Sequence, residues 1–359
     1  MSTDALLTST GFRAAILAGL AGLCAALALA ATPGEQRAIV QTGNGGPEVL
    51  SLQTVPVPEP GAAEVLIRIY AASINPTDWK LRQGDREVPA GPGARLIPGR
   101  DVAGVIEKTG SGVTTWKVGD KVFALVGPGS RKELNGAYSE FVVAPVNDIA
   151  RKPARATFEE AAALGVTGGT AMRLLDMLNI GRGQRVFIDG VAGGVGTAMT
   201  QVAKSRGAHV IGTASARHAT YLKSIGVDEV IDYRAVQFEQ VIKPPVDIVV
   251  ETVSAETAVR ALSIMKQGGV LVSIAGAPTE AQCAAAGVRC PDGGHTSQAK
   301  NSGQLLAQVA QLFDAGKLSV YIDNSFPLER AADAQEANRT GSTQGKIVLD
   351  VVADKARTR

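Results

Sequence analysis

The sequence predicts an α/β protein, a doubly wound parallel sheet accompanied by a smaller β-rich domain, and three observations predict it. Residues 184–214 run strand, glycine turn, helix, strand. Arg185 to Ile188 is β-branched and aromatic, glycines stand at 190, 193, 194 and 196, and Met199, Val202 and Ala203 share a helical face. Gly207 then separates that helix from His209-Val210-Ile211. Downstream, single strand-like runs alternate with helical patterns, which is the signature of parallel pairing through helical crossovers. Upstream, short valine-rich runs are joined by glycine turns, as in a small barrel.

The βαβ unit is the most informative stretch. Its spacing, Gly190-x-x-Gly193-x-x-Gly196, departs from the commoner G-x-G-x-x-G. A Rossmann-type turn of this kind reverses tightly and brings a helix N-terminus against a diphosphate. Backbone at Gly190, Gly193, Gly194, Val195 and Gly196 would hold the anion, and a Cβ at Gly193 or Gly194 would obstruct it. The competing reading is a glycine turn that only packs a helix on a sheet.

The 359 residues suffice for two domains. With 45% apolar and 19% charged residues, a full core can be buried. Net charge is +2 without a long basic run, so nucleic-acid binding has no electrostatic footprint. Three cysteines (Cys24, Cys283, Cys290), none in a C-x-x-C pair, and three histidines leave a zinc site without ligands. The N-terminus is a separate object. Arg13 precedes an uncharged run from Ala14 to Ala31, and Ala28-Leu29-Ala30 offers a small-x-small cleavage site. Residues 1–30 are therefore expected to be a signal peptide, with an uncleaved membrane anchor or a misplaced start as alternatives. The protein is expected to be exported, periplasmic in a bacterium, and to meet a membrane only through this leader.

In chain order, strands are expected at Arg37–Val40, Val49–Leu52 and Val65–Ala72, with Pro56, Pro58 and Pro60 as a stiff exposed link. Residues 75–84 form a short helical turn ended by Gly84. Residues 97–126 and Gly136–Ala144 complete the barrel. Thr157-Phe-Glu-Glu is a capping box opening a helix. Strands are expected at Glu229–Asp232, Asp247–Glu251 and Gly269–Ile274, with a helix at Ala258–Met265. Residues 278–303 read as irregular, a last helix as Gln304–Asp314, and a final strand as Gly345–Val351.

These stretches together resemble the medium-chain dehydrogenase/reductase superfamily, in its zinc-free branch of quinone oxidoreductases and enone reductases. The carrying residues are Gly45-Gly-Pro-Glu-Val-Leu, Asn75-Pro-Thr-Asp-Trp-Lys, Pro98-Gly-Arg-Asp-Val-Ala-Gly, Val118-Gly-Asp-Lys-Val, Gly193-Gly-Val-Gly and Gly345-Lys-Ile-Val-Leu. The resemblance implies a GroES-like catalytic domain at residues 36–155, a Rossmann domain at 156–292 and a return to the catalytic domain at 293–353, with the active site in the cleft. Zinc-using relatives have Cys where Asn75 stands and His-Glu where Arg100-Asp101 stand, so no metal is expected. Residues 283–301 depart from the pattern: Cys290-Pro-Asp-Gly-Gly interrupts a strand often used at a dimer contact, which leaves a homodimer open. In an oxidising compartment Cys283 and Cys290 could pair.

The implied reaction is hydride transfer from NADPH to a small-molecule quinone or α,β-unsaturated carbonyl. The strand ending at Ala214 lacks the carboxylate that NAD sites use. Ser215, Arg217 and Tyr233 instead suit a 2′-phosphate. Against this stand a solvated cation for Arg217, core packing for Tyr233 and a plain cap for Ser215. Asn75 could donate to a carbonyl oxygen, or be only a turn residue before Pro76. Thr170 would lie near the nicotinamide, or merely cap a helix. Asp78 could orient a ribose hydroxyl or cap its helix, Trp79 could wall the pocket or fill the barrel, and Tyr138 reads as structural. Because export is hard to reconcile with NADPH, an exported NADP-binding protein with little turnover is the alternative function.

Overall fold

The computed structural model describes residues 32–85, 95–127, 134–293 and 302–352. The expected leader lies outside the described residues. The chain opens with β1 (Glu35–Gln41), β2 (Leu50–Pro56), β3 (Glu64–Ser73), α1 (Pro76–Gln83), β4 (Asp101–Thr109), β5 (Lys121–Leu125), β6 (Phe141–Pro145) and β7 (Ile149–Arg151). It continues with α2 (Phe158–Leu178), β8 (Arg185–Asp189), α3 (Gly194–Ser205), β9 (His209–Ala214), α4 (Ala219–Ser224), β10 (Glu229–Asp232), α5 (Phe238–Val241) and β11 (Val246–Glu251). It ends with α6 (Ala255–Ala261), β12 (Met265–Ser273), α7 (Glu280–Ala286), α8 (Ser302–Asp314), β13 (Ile322–Pro327), α9 (Ala331–Arg339) and β14 (Lys346–Asp350).

Two sheets carry the fold. The first is mixed, in the order β13-β14-β3-β4-β5-β7 with β6 on β3. Its inward residues, among them Ile67, Ile69, Val102, Val122 and Leu349, form one core. The second is parallel, in the order β10-β9-β8-β11-β12. β8 and β11 are buried on both faces, which is why Val186-Phe-Ile and Ile248-Val-Val are unbroken apolar runs. The chain turns to one side after β8 and to the other at β11, so a switch-point crevice opens at their C-terminal ends. β14 returns to the first sheet, Val348 opposite Ser73.

α2 joins the two cores. The expected capping box forms: Thr157 Oγ1 accepts from Glu160 N at 3.1 Å and Glu160 Oε2 from Thr157 N at 2.8 Å. A Cβ on Gly168 would meet Val309 Cγ1 at 2.6 Å, so that glycine sets the approach of α8.

Four sequence expectations need correction. The helix placed at Ala258–Met265 starts earlier, at Ala255, where Ser254 Oγ accepts from Thr257 N at 3.1 Å; Met265 already begins β12. Residues 278–303 are not wholly irregular, because Thr279 and Gln282 make a second capping box that starts α7. α8 is not the last helix: α9 follows it, a polar helix with few apolar positions. Pro58 is buried rather than exposed. Cys283 and Cys290 are disulfide-bonded, with Cα atoms 6.1 Å apart. The bond holds Arg289 beside edge strand β12, where it exchanges hydrogen bonds with Gly269 O and Leu271 N at 2.9 Å.

Candidate active site

A cleft of about 750 Å³ occupies the switch point. Asn75, Thr170, Gly190, Gly193, Gly194, Val195, Gly196, Ser215, Arg217 and Tyr233 all line it. The glycines have separable jobs. Gly190 has φ +78°, and its Cβ would meet Thr252 Oγ1 at 2.5 Å. A Cβ on Gly196 would strike Gly190 O at 2.5 Å and Val191 Cα at 2.7 Å, and one on Gly194 would crowd Lys346 Cδ and Thr167 Oγ1, both at 2.8 Å. Gly193 has ordinary dihedrals as the N-cap of α3, and its Cβ would come no closer than 3.4 Å to any other residue. Packing therefore requires Gly190, Gly194 and Gly196. At Gly193 the protein leaves space, and the N-terminus of a twelve-residue helix, with no side-chain cap, faces the cleft. A dinucleotide diphosphate fits that cradle.

At the outer end, Ser215 starts a single helical turn over Ala216–His218 without a side-chain cap bond. Tyr233 is 54% exposed, which rules out core packing for it. Arg217 donates from Nη2 to Ser342 O and from Nε to His218 Nε2. It is a latched cation at the cleft edge rather than a purely solvated one.

At the inner end the polar side chains hold one another in a network. Asn75 is buried. Its Nδ2 donates to Asp101 Oδ2 at 2.8 Å and its Oδ1 accepts from Lys346 Nζ at 2.6 Å. Asp101 also accepts from Ser73 Oγ at 2.6 Å and from Val166 N at 2.9 Å. Burial pushes the Lys346 ammonium down from its ordinary value, while Asp101 and Asp78 pull it back up. Asp78 does not line the cleft, and of its two readings, ribose contact or helix cap, the structure shows the cap. It accepts from Asn75 N at 2.8 Å and from Tyr138 Oη at 2.7 Å. Burial raises its carboxyl to about 6, against the pull of those two bonds. Tyr138 is structural, as expected. Trp79 walls the cleft, its Nε1 donating to Asn338 Oδ1 at 3.1 Å. Thr170 sits inside α2, far from either cap.

Sequence reasoning missed a carboxyl pair of which one member, Asp189, lines the cleft and the other, Glu251, lies buried beside it. Asp189 and Glu251 end β8 and β11 directly opposite each other, and both are buried. Burial first, and then Asp189, raise the Glu251 carboxyl to about 8. The signal was available, as two strand-terminal acids where a parallel sheet turns. Lys346 was quoted in a motif, but only the fold reveals its partners. Among the described residues no cluster of three or more His, Cys, Asp or Glu side chains could hold a metal. An amide at Asn75 and a guanidinium at Arg100 do not suit zinc.

Comparison with known proteins agrees with this architecture. Residues 61–154 match the model of the alcohol dehydrogenase GroES-like domain, and residues 225–349 that of the zinc-binding dehydrogenases. The chain is 33% identical over 332 residues to the 2-methylene-furan-3-one reductase of Solanum lycopersicum, covering 88% of this chain and 79% of that protein. It is 32% identical over 334 residues to the NADPH-dependent alkenal/one oxidoreductase of Arabidopsis thaliana, covering 89% and 81%. Among solved structures, the quinone oxidoreductase of Coxiella burnetii superposes with a TM-score of 0.79 at 31% identity, over 89% of this chain and 100% of that one.

Proposed function

This chain belongs to the medium-chain dehydrogenase/reductase superfamily, in its branch of quinone oxidoreductases and enone reductases, and from that premise we propose that it is an NADPH-dependent reductase of quinones or α,β-unsaturated carbonyls. The observation that carries the reading is the union, in one switch-point cleft, of an open glycine cradle and a locked side-chain amide. Reduced nicotinamide supplies a hydride to the β-carbon of an enone or to a quinone. The chain's own residues do the rest. The cradle at Gly193–Gly196 receives the diphosphate on backbone N–H groups and the α3 dipole. Ser215, Arg217 and Tyr233 offer donors to a 2′-phosphate, and the absence of a carboxylate at that strand end supports NADPH over NADH. Asn75 has one N–H left, suited to a carbonyl oxygen on which negative charge develops, and Trp79 closes the wall beside it. Protonation is left to solvent.

The test is reduced-nicotinamide oxidation with a p-quinone or an alkyl vinyl ketone, alongside cofactor titrations. Turnover with tighter binding of NADPH than NADH is expected; binding without turnover on either substrate class would overturn the reading. The relatives are named as oxidoreductases, which does not favour a binding module without turnover. Export belongs to the same proposal: the uncharged run at 14–31 and the Cys283–Cys290 bond support an oxidising compartment. Fractionation with N-terminal sequencing of the mature chain tests it.

A further inference from the structure

We infer that Lys346 is a positioning residue that ties the cofactor cradle to the reacting amide, fixing which end of Asn75 faces the substrate. The inference rests on the reductase reading above and extends it to a residue with no assigned role.

Three features of Lys346 meet at one point. It begins β14, immediately after Gly345, whose N donates to Ala192 O at 2.8 Å and which bridges Gly193. Its stem lies where a Cβ on Gly194 would be, 2.8 Å from Cδ, so stem and glycine turn are in contact. Its ammonium donates to Ile74 O at 2.7 Å and to Asn75 Oδ1 at 2.6 Å, and stands 3.6 Å from Asp101 Oδ2. An ammonium has three protons. Two are spent on Ile74 O and Asn75 Oδ1, and the Asp101 carboxylate lies within ion-pair distance of the charge. Lys346 acts through Asn75.

The action is on the amide's orientation. Oδ1 and Nδ2 of an asparagine are nearly isosteric, and the surroundings decide which is which. Here a cation holds one end and a carboxylate the other. Rotating the amide by half a turn would set NH2 against NH3+ and oxygen against oxygen. Asn75 is thereby committed to Oδ1 on Lys346 and Nδ2 on Asp101, and its one unused donor is an N–H. A neutral residue at 346 would leave Oδ1 without its donor and release that constraint.

The experiment is a double-mutant cycle of Asn75→Ala and Lys346→Met, each assayed with NADPH and a p-quinone for kcat, KM and cofactor Kd. Methionine keeps most of the stem against Gly194, so cofactor Kd should stay within about twofold. The kcat should fall roughly tenfold or more in K346M. In the N75A background the same change should cost little further, because residues that act as a unit are not additive. Lys346→Arg keeps a cation at this position and should recover part of the loss; it also serves as the cycle partner if K346M does not fold. If N75A itself leaves kcat unchanged, the underlying reading of Asn75 fails. If N75A lowers kcat but K346M does not, or the two losses simply multiply, the positioning role fails while that reading stands.

Discussion

The two ends of the cleft are built on opposite plans. The inner end is dry and saturated: Ser73, Asn75, Val166 and Lys346 converge on a fully buried Asp101. The outer end is wet and loosely held: Tyr233 is largely exposed, and Arg217 spends its donors on Ser342 O and His218. The difference matches what each end is asked to do. A group that stabilises charge in a transition state gains from being fixed in advance. A group that recognises a phosphate arriving from water needs only to be exchangeable, since the incoming anion replaces its weaker partner.

The inner end should therefore break expensively. Asp101→Ala would strip a buried ammonium of its counter-charge and leave three donors without their acceptor. Removing one partner of a buried pair costs about 3–5 kcal/mol. Thermal unfolding should show the loss directly, and a variant as stable as the wild type would mean that the network carries little. The glycine turn sharpens the contrast. Gly196→Ala must displace backbone at Gly190 and Val191, and overpacking of that kind costs about 1–3 kcal/mol. Gly193→Ala should leave stability within about 0.5 kcal/mol of wild type and still weaken cofactor binding. Equal effects of the two on melting temperature would erase the distinction between packing and binding glycines.

How much of this was legible beforehand follows the same divide. The βαβ unit, the Thr157 box and the glycine cradle are local signals, each complete within about thirty residues, and the cleft gathers the four glycines of the cradle. The Asp101 network is not local. It joins residues 73, 75, 101, 166 and 346 from two strands, a turn, a helix and the final strand, and no periodicity encodes such a meeting. For Asp78 the cap was legible as one of two readings, but its second partner Tyr138, sixty residues away, was not. α9 was missed because it is polar and packs through few residues, Ala331, Ala334 and Gln335.

At the outer end the expected effect is smaller and selective. Arg217→Ala should remove most of the preference for NADPH over NADH and leave NADH affinity nearly unchanged. A charge-assisted contact is worth about 1.5–3 kcal/mol, less whatever the existing bond to Ser342 already contributes. Titration of both cofactors against the variant gives the answer, and loss of affinity for both alike would show that Arg217 holds the loop rather than the phosphate.

The carboxyl pair between the two ends gives an effect that is absent in acid and grows with pH. Asp189 and Glu251 face each other across adjacent strands, and Glu251 Oε1 already accepts from Val253 N at 2.5 Å and Ser254 N at 3.1 Å. Burial and the neighbouring Asp189 raise Glu251 from an ordinary 4.5 to about 8. The sign follows from proton counting. Between those two values the folded protein holds a proton that the unfolded chain has released, so stability falls as pH rises. Below that window the contribution is fully present, and above about 8 it is gone. Glu251→Gln carries the neutral form permanently: its oxygen can keep the two backbone bonds, and its NH2 can face Asp189. The variant should match the wild type in acid and pull ahead as pH rises, the gap growing by up to about 1.4 kcal/mol per pH unit across the window. Melting curves for both proteins across this range provide the check. Two curves that stay parallel through the whole range would show that Glu251 ionises freely in the folded protein.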